Sequence, residues 1–241
     1  MRTWIAALAM ALCATPALAD ITAVYEGGGV KMTVEIASDG DVRTDVTAKP
    51  GEYILLKGSE AFVVLPTPSG VVVDCVSDVA AVMRELMEKM HPGYQAQMAA
   101  ALKAGGPVRL ELLAGDEVTV RGRAGTPYFM KEFAGPGQQP IVVIAHDPAL
   151  EPLRIAVLRS TDISSSMLST MVGAANPMAD AMRDVLKMGA PLQFGSAELT
   201  SVSDAPIPAS HFDLPGSPET REQIRKRIEA SATKSGPIVG F

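Results

Sequence analysis

The sequence predicts an α+β fold in which an antiparallel sheet carries helices on one face. Three observations carry that expectation. Apolar and polar residues alternate in several short runs joined by tight-turn residues, stretches of helical period separate those runs, and the strands come in groups, unlike the strand–helix repeat that builds a parallel sheet.

Val30, Met32, Val34 and Ile36 alternate with Lys31, Thr33 and Glu35, the pattern of a strand with one wet face. Ser38-Asp39-Gly40-Asp41 turns the chain into the alternation of Val42, Thr44 and Val46, because Asp-Gly supplies tight-hairpin dihedrals. A second hairpin is expected from Tyr53–Leu56 through Lys57–Glu60 into Ala61–Leu65, followed by a strand at Gly70–Val76. Gly27-Gly28-Gly29 precedes a strand rather than a helix, so it reads as a turn and not as a phosphate cradle.

Helical spacing then takes over. Ser77 or Asp78 is expected to cap a helix with Val82, Met83, Leu86, Met87 and Met90 on one face. His91-Pro92-Gly93 breaks it, and a second segment runs from Tyr94 to Lys103. Val108, Leu110 and Leu112 are expected to pair with Val118 and Val120 across Ala114-Gly115-Asp116. Tyr128–Phe133, Ile141–Ala145 and Arg154–Leu158 read as further strands. Helical period returns from Ile163 to Met188, split where Asn176-Pro177 forms an N-cap followed by proline in the first helical turn. Leu192–Phe194 and Glu198–Val202 read as late strands, and Ser217-Pro218-Glu219 opens a polar helix. The expected organisation is a signal peptide at 1–19, one domain at 20–230 and a loose tail at 231–241.

The 241 residues include 21 Lys plus Arg against 27 Asp plus Glu, and 47% are hydrophobic. That composition suits a packed core and argues against wholesale disorder. A negative chain whose basic residues gather only between Arg221 and Arg227 repels a phosphate backbone, so nucleic acid is not an expected partner. The start, MRTWIAALAMALCATPALA, has one Arg, an apolar run from Trp4 to Leu12, and Ala17-Leu18-Ala19. It reads as a secretory signal cleaved after Ala19, which implies a periplasmic protein with no stable membrane span once processed. An uncleaved anchor is the alternative. A lipoprotein acylated at Cys13 lacks the small residue that should precede the cysteine, because Leu12 stands there. Past the signal only Cys75 remains, so no intramolecular disulfide is expected, and its apolar surroundings read as those of a buried thiol.

No catalytic signature emerges, and the expected activity is non-enzymatic. His91, His146 and His211 lie in separate segments without the spacing of a metal site, and no cofactor is expected. Gly-x-Ser-x-Gly is missing, and Ser231-Ala232-Thr233-Lys234 shares its lysine with a Lys-Ser-Gly triplet in the tail instead of joining distant elements. Asp147 and Asp162 are candidate carboxylates for glycoside hydrolysis whose separation the sequence leaves undefined. Methionine is the richer signal: Met83, Met87 and Met90, then Met167, Met171, Met178 and Met182. Thioethers can hold Cu(I), but recurrence at helical intervals among Leu and Val fits packing or an adaptable apolar surface better.

Three stretches carry a likeness: YILLKGSEAFVVLPTPSGVVV at 53–73, then VRGRAGTPYFMKE and IVVIAHDPALEPL, then Gly189–Leu192, Glu198–Val202 and Phe212–Pro215. The chain resembles a family of exported bacterial domains of unknown function that share the LolA-like fold of periplasmic lipoprotein carriers. The resemblance implies a curved antiparallel sheet, an incomplete barrel, with helices covering its concave face over an apolar cavity. It also implies that an apolar small molecule or acyl chain occupies that cavity. Phe62, Met83, Met87, Met90, Met167, Met171, Met182 and Phe194 are the expected lining. An envelope module that binds another protein through its polar last helix or a sheet edge is the alternative, and a hydrolase the third.

Overall fold

The computed structural model describes residues 20–105, 110–133, 137–173 and 176–235. The expected signal peptide, the start of the strand expected at Val108, and the last residues of the tail lie outside them. Twelve strands form one antiparallel sheet that does not close into a barrel. The strands are β1 (Ile21–Gly27), β2 (Val30–Ile36), β3 (Val42–Val46), β4 (Tyr53–Lys57), β5 (Glu60–Thr67), β6 (Gly70–Cys75), β7 (Leu112–Ala114), β8 (Val118–Val120), β9 (Arg123–Met130), β10 (Val142–Ala145), β11 (Ala190–Phe194) and β12 (Ala197–Ser203). Their spatial order is β6-β5-β4-β3-β2-β1-β12-β11-β10-β9-β7, with β8 also pairing with β9. The helices are α1 (Val76–Met90), α2 (Tyr94–Gly105), α3 (Glu151–Val172), α4 (Pro177–Leu186) and α5 (Arg221–Ser235).

The first half is the meander its alternation predicts, with β1 added in front. β1 and β2 meet through Gly28 and Gly29, whose φ values of 59° and 79° give the turn twist that suits a two-residue hairpin. α1 starts two or three residues earlier than expected. Cys75 occupies the N-cap position without a side-chain cap bond, so Ser77 and Asp78 lie inside the first turn. β7 and β8 do not pair with each other; each pairs with β9, which is long enough to serve both. Arg154–Leu158 is helical, not extended. Asp147 accepts the Ala149 N–H at 3.0 Å and opens a short 3₁₀ turn that leads into α3, where Pro152 suits the first helical turn. Residues 131–133 form a 3₁₀ turn instead of extending β9. α4 begins as predicted, with Asn176 accepting the Ala179 N–H. α5 starts at Arg221, after Ser217-Pro218-Glu219, and runs on into the expected tail.

The main core lies between the sheet and α3. Tyr25, Val42, Val143, Leu150, Leu153 and Leu192 are essentially inaccessible within it. Arg159 fixes α3 over the meander by donating to the Gly40 and Gly58 carbonyls, which belong to two separate β-turns. β10 is buried on both faces: Val143 and Ala145 join the main core, while Val142 and Ile144 pack with Tyr128, Val185 and Leu186. That double burial explains its unbroken apolar run.

Tyr25 makes a testable contribution. Its hydroxyl donates to the Pro191 carbonyl at 2.8 Å, and burial pushes its phenol well above the ordinary tyrosine range. An unfolded tyrosine ionises near pH 10. The folded state keeps the proton, so the associated stability is complete below about pH 10 and is lost as pH rises beyond it. Tyr25→Phe is expected to cost about 1 kcal/mol at pH 8 for the lost hydrogen bond. The gap from wild type should narrow in urea melts at pH 11.

Candidate functional site

Helical period sorts the residues of α1 onto two faces. Val82 and Leu86 pack with Ile224 of α5, and Val79 and Ile228 flank them. α1 also packs against α3, and α3 against α4. The methionines come from this layer. Met83 and Met87 on α1, Met167 and Met171 on α3, and Met178 on α4 are half-buried, and Met90 is 61% exposed. Met182 packs against the cluster of Tyr128, Val142, Ile144, Val185 and Leu186. Leu168, between the two α3 methionines, is 41% exposed.

The two aromatic residues are placed differently from each other. Phe194 stands at the sheet–helix boundary, its ring centroid 5.9 Å from that of Tyr25. It packs against both the main core and the β10 cluster. Phe62 is not with the methionines. Strand alternation sends Ala61 into the main core and Phe62 to the opposite face, where it packs with Leu55, Val64, Val73, Cys75 and Phe212. The expected eight-residue lining therefore divides between two faces of the sheet.

Phe212 belongs to a C-terminal arm that packs across the sheet ahead of the polar helix that the sequence predicts. Asp20 accepts the Ile207 N–H at 2.8 Å, and Lys57 and Arg43 donate to the carbonyls of Phe212 and His211. The arm then passes the edge strand β6, where the Glu219 N–H donates to the Val73 carbonyl at 2.8 Å. It ends with α5 against α1, held by Arg221–Asp78, Arg225–Glu85 and Lys89–Glu229 ion pairs. Arg227 grips the buried Asp74 with contacts of 2.6 and 2.5 Å. Attraction to Asp74 and Glu219 holds the Arg227 guanidinium above its ordinary pKa, against the opposing effect of partial burial. The sequence announces the helix that ends this arm through Ser217-Pro218-Glu219, but not where it docks, because the ion-pair partners lie about 140 residues apart.

One open cleft, of about 420 Å³, lies on α1 and is lined by the charged Arg84, Glu85, Glu88 and Lys89 with Gln95 of α2. Two open clefts, of about 440 and 580 Å³, share the wall Ala145-His146-Asp147-Pro148 where β10 leads into α3. The first is completed by Glu151, Arg154, Lys187, Met188 and Gly189, and the second by β9 residues including Arg123 and Thr126. The carboxylates here have partners. Asp147 accepts from Arg123 at 2.8 Å, and Glu151 accepts from Arg154, whose cation holds the Glu151 carboxyl below its usual range. Asp162 accepts from Arg183 at 2.6 Å, so Asp147 and Asp162 serve separate ion pairs.

Among the described residues, no group of three or more His, Cys, Asp or Glu side chains is placed to hold a metal ion. No described helix is long and apolar enough to cross a membrane. Comparison with family models, curated proteins and solved structures returned no match to this chain.

Proposed function

We propose that this protein is a non-enzymatic periplasmic carrier that holds an acyl chain, or a ligand of similar apolar character, along the methionine-bearing surface of α1, α3 and α4. One observation carries the reading: Met83, Met87, Met167 and Met171 remain half-buried and Met90 exposed, while Leu, Val, Ala and Tyr fill the core. A thioether on three rotatable bonds conforms to a flexible guest, which suits a surface that must accept a mobile chain. Phe194 belongs at the inner margin of this site, and Phe62 lies outside it. The secretory character of residues 1–19 supports the location.

A second reading, an envelope module that docks another protein, is favoured by the 56% exposure of Val71 on the edge strand β6. Titration with a fluorescent fatty acyl probe separates the two. Met87→Ala and Met171→Ala should each weaken probe binding and cost clearly less than the roughly 2–5 kcal/mol lost when a fully packed Met is truncated. Met87→Gln should fold and lose the probe. Both alanine variants losing the full core penalty, with no uptake by wild type at micromolar concentration, would contradict the carrier.

A further inference from the structure

Val79, Val82 and Leu86 of α1 form an apolar seam with Ile224 and Ile228 of α5. Met90, four residues after Leu86, continues that stripe along α1, because positions i and i+4 share a helix face. It is nevertheless 61% exposed. The reason lies in α5, whose sequence from Glu229 to Ser235 holds no apolar side chain larger than alanine, and whose Ser231, three residues after Ile228, is exposed. The seam therefore opens at Met90.

α2 extends the opening. Glu88 holds the start of α2 beside the last turn of α1, accepting the N–H groups of Gly93 at 2.7 Å and Gln95 at 3.4 Å. No charged side chain occurs from Tyr94 to Leu102, yet Ala96, Ala99, Ala100 and Ala101 are exposed. A helix that lacks a charged face is ordinarily a buried one.

The chain itself carries a cover. The Arg221–Asp78, Arg225–Glu85 and Lys89–Glu229 pairs advance along both helices together, so α5 runs parallel to α1. Ser235 lies six residues beyond Glu229, about 9 Å further along the helix, which carries the chain past the level of Met90. The six residues that follow, Gly236-Pro237-Ile238-Val239-Gly240-Phe241, are uncharged and can span about 20 Å.

We propose that Ile238, Val239 and Phe241 fold back over Met90 and the first turns of α2, completing the α1–α5 seam. Two observations favour this occupant over a second copy of the chain. The surface continues an interface that already exists within one molecule. The segment is also tethered beside the open end, so its effective concentration there is independent of protein concentration. The contact lies at the margin of the methionine-bearing surface, and it does not rest on acyl binding.

The test uses the purified full chain with its methionine methyls labelled for NMR, and Met90→Leu identifies the Met90 resonance. In the wild type that methyl should show nuclear Overhauser contacts to an aromatic ring, and Phe241→Leu should remove them. Combining Ile238→Ser with Val239→Ser should also shift the Met90 methyl, while the Met178 methyl on α4 stays in place. Tenfold dilution should leave the contacts intact. A Met90 methyl indifferent to all three substitutions beyond α5 would overturn the proposal. Contacts that fade on dilution would overturn it too, because the occupant would then be a second copy.

Discussion

Replacing Arg227 with alanine is expected to lower the unfolding free energy by about 3 kcal/mol, near the lower end for removing one partner of a buried ion pair. The Asp74 side chain is 5% exposed, and Arg227 gives it both of the contacts by which α5 reaches it. Removing the guanidinium leaves a buried carboxylate on β6 and releases Glu219, which Arg227 also holds at 3.0 Å. The exposed Lys226–Glu222 pair on the same helix supplies a contrast, since surface pairs of that kind contribute about 0–1 kcal/mol. Equilibrium urea unfolding of both variants reads the difference. Asp74→Asn combined with Arg227→Ala should recover part of the loss, because the unpaired charge is then gone. An Arg227→Ala loss no larger than that of Lys226→Ala would mean that the arm contributes little to the fold.

A loss of similar size, about 3 kcal/mol, is expected for Gly189→Ala, at the upper end of ordinary overpacking penalties. The added Cβ would meet the Ala145 carbonyl oxygen at 2.1 Å and Ile144 Cγ2 at 2.8 Å. The first obstacle is backbone, so relief requires β10 and β11 to move apart instead of a side chain swinging away. Gly216→Ala is the control: nothing lies within 4 Å of its Cβ position, and its melting temperature should stay near that of wild type.

Short-range pattern made much of the sheet legible. Asp-Gly at 39–40 and the alternation on either side specify β2 and β3, and Asn176-Pro177 specifies the start of α4. The failures have physical causes. Leu153, Ile155 and Val157 alternate as a strand would, but Leu153, Ala156 and Ser160 also follow a helical period, and in a short apolar stretch both periods fit. The capping by Asp147 and the Arg159 bonds to two β-turns belong to the helical solution. Ala61-Phe62-Val63-Val64-Leu65 is apolar throughout, so its composition does not reveal which parity faces the helices. Phe62 takes the other face because Phe212, 150 residues later, covers it. The proposed site was legible only as a set of methionines at helical spacing. Which of them remain half-open depends on how α1 and α4 pack against α3, and that is tertiary information.

The most direct measurement is mass spectrometry of whatever extracts from the protein purified from its native compartment, alongside native mass spectrometry of the intact complex. The carrier account predicts an acyl-bearing molecule at close to one per chain, displaced by the fluorescent acyl probe and lost from Met87→Gln. Protein that arrives without an apolar ligand, and takes up no probe at micromolar concentration, would contradict it.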